Sequence, residues 1–150
     1  MATSPRLTAQ LDELIALFNR RSLDLPDGLF DRRTQFLLNG KPFEVMLGRS
    51  AADPLVLMIA RGPAGYRFAM KALQHAVPDA RVERGEIETL TEPETWLVPL
   101  WLSGRLRGTE QPVEAVARAV VTAAAGAVTR TDVELDPQIV ELLGVARLRE

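Results

Sequence analysis

The chain has 150 residues, 47% of them hydrophobic and 25% charged, with a formal net charge of −2. That is the length of one ordinary domain, long enough to bury roughly two-thirds of its unfolded surface around a single core. The absence of Cys excludes disulfides, a thiolate nucleophile and a cysteine metal site, and the acidic balance argues against a strongly basic nucleic-acid binder.

No apolar run approaches the ~20 residues of a membrane span. The N-terminal Met-Ala-Thr-Ser-Pro-Arg lacks the apolar core of a signal peptide. The expectation is a soluble cytoplasmic protein with no membrane partner. Sixteen Arg stand against two Lys, a compositional habit rather than a binding surface.

Ser4-Pro5 is a helix start, because Ser can accept from free N–H groups and Pro tolerates the first helical position. Leu7, Leu11, Leu14, Ile15 and Phe18 then recur at helical spacing, predicting a helix over 5–21 that Leu25-Pro26-Asp27-Gly28 ends. From about Arg33 the period becomes that of a strand, with Phe36 and Leu38 on one face and Leu37 on the other. Asn39-Gly40 between two apolar runs is a hairpin signal. It leads to a second strand carrying Phe43, Val45 and Leu47, with Pro42 suited to an edge or a strand end. Leu55 to Arg61 predicts a third strand, apolar from Leu55 to Ile59 as if covered on both faces.

Gly62-Pro63-Ala64-Gly65 breaks that strand, and Tyr66, Met70, Leu73 and Val77 line one face of a second helix. A weaker strand is predicted over 81–90 and a long one over 95–107, where Pro99 suggests an edge or a bulge. Val113, Val116, Ala117, Val120, Val121, Ala124 and Val128 fit an apolar stripe, predicting a third helix over 112–128. Asp136-Pro137 starts a short C-terminal helix. The fold class is α+β: an antiparallel five-stranded sheet in the order α-β-β-β-α-β-β-α plus the tail helix, one domain over 1–150.

No stretch carries a catalytic, metal or cofactor motif. Arg61-Gly-Pro-Ala-Gly65 lies where phosphate loops occur, but it lacks the glycine spacing and Pro63 removes an N–H. His75 is the sole histidine, which leaves no partner histidine for a zinc site. Glu83, Glu86, Glu88, Glu92 and Glu94 read as a solvated edge, or as a site for a basic partner segment. Arg20-Arg21, Arg32-Arg33, Arg105 and Arg107, with Trp96 and Trp101, would serve a single-strand nucleic-acid platform, although Trp96 shares the core alternation. The second sheet face holds apolar residues where water contact would favour polar ones. Leu37, Met46, Met58, Leu97 and Trp101 fall there and are the expected partner or dimer interface.

The element order over residues 5–128 resembles that of class I type III secretion chaperones and the related YbjN family. The strands of residues 36–59 followed by the helix at 66–77 carry the likeness. The resemblance implies a small, acidic, dimeric, non-enzymatic protein that holds partner polypeptides, and it carries over no functional residue. The leading expectation is therefore a non-enzymatic homodimer that binds a protein partner, chaperone- or adaptor-like, without a cofactor. The alternatives are a small-molecule-binding domain or enzyme with a pocket between sheet and helices, and a single-stranded nucleic-acid binder.

Overall fold

A computed structural model describes residues 5–42, 61–124 and 126–148. Helix α1 spans Pro5–Asn19, β1 Phe30–Leu38 and β2 Lys41–Pro42; α2 spans Gly62–Ala76, β3 Arg81–Arg84 and β4 Glu88–Thr89. They are followed by β5 (Thr95–Arg105), β6 (Pro112–Ala124), β7 (Ala127–Leu135) and α3 (Pro137–Leu148). The architecture is α+β with three helices and a mixed sheet among the described residues. The strand order is β2-β1-β7-β6-β5-β3, with β4 also pairing β5.

The hairpin forms at Asn39-Gly40, where φ values of 51° and 80° give the primed turn that matches strand twist. Asn39 also ties this turn to β7: its side-chain amide donates to the Leu135 carbonyl at 2.8 Å and accepts from the Leu135 N–H at 2.9 Å. Lys41–Pro42 lies at the sheet's end, where a missing N–H costs no ladder bond. The other expected proline irregularity has a clear cause. Pro99 lies in a strand paired on both sides, and at its level β3 and β4 part: the Arg84 pair is Leu100, the Glu88 pair is Leu97. The Pro99 carbonyl accepts from the Gly85 N–H at 2.9 Å within this break. The strand predicted over 81–90 is thus two short strands.

The sheet is not the expected antiparallel five-stranded one. β1 and β7 are parallel neighbours, with Phe36 opposite Thr131 and Leu38 opposite Val133. Hairpin signals speak only for strands adjacent in sequence, so this distant pairing left no local mark. The helix predicted over 112–128 is the long strand β6 running into β7. Its buried residues are Val113, Ala115, Ala117, Ala119 and Val121, a period of two. Valine and alanine at these positions fit either period, and pairing with β5 from Thr95 opposite Thr122 to Arg105 opposite Pro112 decides for the strand. The predicted third strand over 55–61 lies outside the described residues except for Arg61, which bridges Gln35.

All three helices pack on one face of the sheet. Leu7 and Leu11 of α1 join Trp96, Val98, Ala119 and Val121 in one core cluster. Phe18 meets Leu102, Val113 and Leu143 of α3 in a second. Tyr66 and Ala69 of α2 pack with Phe36 and Leu38 in a third. Polar clasps fix α1 against β3. The Asn19 amide donates to the Val82 carbonyl and its oxygen accepts from the Val82 N–H, both at 2.9 Å. Arg84 forks onto the Asp12 carboxylate. That hydrogen bond, helped by the guanidinium charge, holds the Asp12 carboxyl below the usual carboxylate range. The tail helix starts as expected, with Asp136 Oδ1 accepting from the Gln138 N–H at 2.8 Å. No helix among the described residues is long and apolar enough to cross a membrane.

Candidate functional site

Between the helices and the inner face of the sheet lies a cavity of about 220 Å³. Its existence follows from side-chain size. Where β6 crosses the middle of the sheet, its inward positions at the cavity are Ala117 and Ala119, and Ala69 of α2 lines the same space. Each alanine sits where a core would accept a larger side chain, and the helices are held off by Leu14, Phe18, Met70 and Leu73. An unfilled space of this size forgoes about 5 kcal/mol of packing at ~24 cal/mol per Å³. Set against the ~5–15 kcal/mol of a typical domain, that is a large sacrifice for a site without a use.

The wall is almost wholly apolar. β5 contributes Val98, Leu100 and Leu102; β7 contributes Val133 and Leu135. One end is aromatic. The Phe30 and Phe36 rings meet edge to face at 4.9 Å, and the Tyr66 ring lies 5.6 Å from Phe30 and 6.2 Å from Phe36. The side chains with a polar group in the described lining are Tyr66, Thr131 and, through its indole N–H, Trp101. Tyr66 and Thr131 belong to the aromatic end, since Thr131 pairs with Phe36 across the parallel ladder. The Tyr66 hydroxyl has no hydrogen-bond partner among the described residues, and burial pushes its pKa far above the ordinary phenol value. The group is therefore a neutral donor at physiological pH. No carboxylate, histidine, lysine or arginine lines the cavity among the described residues, and no cluster of three or more His, Cys, Asp or Glu side chains is placed there to hold a metal.

Sequence reading did not single out Tyr66 as functional. It appeared only as one member of the apolar stripe of α2. The available signal was the sole tyrosine of the chain in a stripe otherwise filled by aliphatic residues.

The residues expected to form an interface are placed on the opposite, outer face of the sheet. Leu37 lies opposite Asp132 and Pro42. Leu97 is 7% exposed, between Glu88 and Val120 in register. Trp101 is 47% exposed beside Val116 at 60%, and it also borders the cavity. Met46 and Met58 lie outside the described residues. β6 and β7 add Glu114, Arg118, Arg130, Asp132 and Glu134 to the alternation of this face. The glycines at 62–65 open α2, and Gly62 (φ +67°) sits against the Arg32 backbone, where a Cβ would lie 3.0 Å from a carbonyl oxygen. They serve chain passage there. His75 lies in the last turn of α2, and its carbonyl accepts from Arg107 Nε at 2.6 Å. Glu83, Glu86, Glu88, Glu92 and Glu94 are all exposed.

Neither a family model nor a curated protein sequence matches the chain. Solved structures do match it. A presumed SnoaL-like polyketide cyclase from Jannaschia sp. CCS1 superposes with a TM-score of 0.64 at 14% identity, covering 93% of this chain and 94% of the other. TerC, co-crystallised with polyporic acid, gives 0.66 at 14% identity over 93% and 98%. A presumed isomerase from Bacillus subtilis gives 0.66 at 14% identity over 89% and 88%. These likenesses establish the fold as that of SnoaL-like and NTF2-like proteins. They overturn the resemblance to type III secretion chaperones and the YbjN family. The expectation of a non-enzymatic, chaperone-like protein falls with it, since proteins of the matched fold carry the names of cyclases and an isomerase. The reason for the error is structural: the chaperone-like order required a helix at 112–128, and that segment is β6 and the start of β7.

Proposed function

We propose that this chain binds a small apolar molecule in the cavity between helices and sheet and acts on it as an enzyme. The observation that carries the proposal is the cavity itself: about 220 Å³, walled by aliphatic and aromatic side chains, with Tyr66 and Thr131 as the hydroxyl-bearing residues of the described lining. Apolar hollows with few, convergent polar groups are the usual form of ligand sites. The names of proteins sharing the fold, cyclases and an isomerase among them, support chemistry on the bound molecule.

The described lining offers one kind of chemistry. A neutral phenol donates a hydrogen bond to a carbonyl oxygen in a site of low dielectric, where such a bond is worth more than in water. It draws electron density toward that oxygen and acidifies the adjacent C–H; the proton passes to a solvent water, since no base lines the cavity among the described residues, and the same hydrogen bond stabilises the enolate left behind. Enolate formation is a step shared by carbonyl isomerisation and by ring closure through carbon. Tyr66 is the residue assigned this role.

The test is exchange of the α-protons of a small aromatic ketone in D2O, followed by NMR. The protein should accelerate exchange over buffer, and Tyr66→Phe should remove most of the acceleration while leaving the fold intact by circular dichroism. Exchange at the buffer rate would refute the enzymatic half of the proposal; failure of any apolar molecule to bind would refute all of it.

A further inference from the structure

The cavity also defines what kind of molecule it takes, an inference that rests on the ligand-binding reading above. We infer that the ligand is an uncharged compound of one or two fused rings, bearing a single hydrogen-bond acceptor that meets Tyr66. Three independent features of the site fix the three parts of this statement.

Size comes from the volume. An engineered apolar cavity of about 150 Å³ takes up benzene, six carbons. At that ratio the ~220 Å³ here holds about nine non-hydrogen atoms. That is one substituted ring or two fused ones, and a linear three- or four-ring compound exceeds this volume. The alanines at 117 and 119 set this limit, since they line the middle of the space and have no further atoms to withdraw.

Shape comes from the aromatic end. Phe30, Phe36 and Tyr66 present three rings with centroid separations of 4.9 to 6.2 Å. Ring pairs favour separations of this order in edge-to-face or offset geometry. A flat ring continues the cluster, whereas a flexible chain would lose rotational freedom to make the same contacts.

Charge comes from what surrounds the space. Moving an ion out of water into an apolar site without a counter-charge is prohibitive, and no cationic side chain lines the cavity among the described residues. Tyr66 acts as a built-in reporter of this environment: burial alone disfavours its own anion. A carboxylate or phosphate ligand would meet the same penalty. A carbonyl oxygen would instead give the Tyr66 hydroxyl its missing partner.

The probes are indane (no acceptor), 1-indanone (the same frame with one carbonyl), benzoate (a similar size with a charge) and anthraquinone (three rings). Titrations are followed by NMR through the methyl groups of Val98 and Val133, which line the cavity and are present in native chain and variant alike. Indane should bind, 1-indanone should bind roughly three- to tenfold more tightly, the range a net hydrogen bond gives, and benzoate and anthraquinone should not bind. Tyr66→Phe should bring 1-indanone down to the affinity of indane while leaving indane unchanged, which separates a lost hydrogen bond from a damaged fold. Benzoate or anthraquinone binding as tightly as 1-indanone would overturn the inference and leave the ligand-binding proposal standing. So would equal affinity of indane and 1-indanone in the native chain. If none of the four probes binds, the ligand-binding proposal fails as well.

Discussion

Replacing Ala119 with Leu distinguishes a cavity from a tightly packed core by the sign of its effect. Ala119 is 4% exposed on the inner face of β6, between Val98 and Val133 in register, and lines the cavity with both. Leu adds three carbons at that point. Each buried methylene contributes about 0.8 kcal/mol, so the gross gain is ~2.4 kcal/mol. Ordering the side chain costs about 0.5–1 kcal/mol. The net expectation is stabilisation by roughly 1.5 kcal/mol, because the new atoms enter empty space. In a filled core the same substitution would destabilise by about 1–3 kcal/mol through overpacking. Urea denaturation reads the difference: with a slope of ~2 kcal/mol/M the midpoint should rise by about 0.75 M at unchanged slope. The variant should also lose affinity for apolar ligands, having used part of their volume. A fall in the midpoint would refute the reasoning that the alanines of β6 hold open a void.

Four further outcomes are expected. Alkaline titration at 295 nm reads Tyr66 alone. Its pKa is raised by burial from an unfolded value near 10, so its contribution to stability is complete below about pH 10 and is lost as pH rises further; ionisation should coincide with alkaline unfolding, and a midpoint near 10 in the folded chain would contradict this. Thr34 is fully buried and its hydroxyl donates to the Val128 carbonyl across the irregular start of the β1–β7 ladder. Thr34→Val should therefore cost about 1–3 kcal/mol in urea melts by leaving that carbonyl unpaired. Gly104 has φ +155°, and a Cβ there would collide with Val77 Cγ1, a fully buried side chain, so Gly104→Ala should lower the melting temperature by several degrees, which calorimetry would show. Asp12→Asn should change stability by no more than about 1 kcal/mol despite the Arg84 fork, because the Asp12 side chain is 52% exposed and solvent screens the pair; a larger loss in urea melts would contradict that reading.

How much of this was legible in the sequence depended on whether the signal was local. Pro5 opening α1, the Asn39-Gly40 turn and the Asp136-Pro137 helix start are chemical instructions carried by adjacent residues, and all three operate as expected. The inward alternation of Phe36 and Leu38, and of Trp96 and Val98, was equally plain. The segment 112–124 was not, because Val and Ala alternate in a way that satisfies periods of two and of nearly four. Only pairing with β5 settles it, and that pairing is a tertiary fact. The consequence spread to function. Read as a helix, the segment placed Ala117 in an apolar stripe with Val113, Val120 and Val121. On the inner face of β6, Ala117 and Ala119 are the reason the cavity exists. The same change put Arg118, Asp132 and Glu134 on the outer face, among the apolar residues expected there. The expected role of Leu37, Leu97 and Trp101 in a contact between two copies keeps its own check: Trp101→Glu with Val116→Glu should convert a dimer into a monomer in light scattering, and a monomeric native chain would remove it.

The most direct test of the central claim is an NMR measurement of where 1-indanone sits. Saturable binding with intermolecular cross-peaks to the ring protons of Tyr66 and Phe36 and the methyl groups of Val133 is the predicted result. Absence of saturable binding, or cross-peaks confined to Leu97 and Val116 on the outer face, would contradict it.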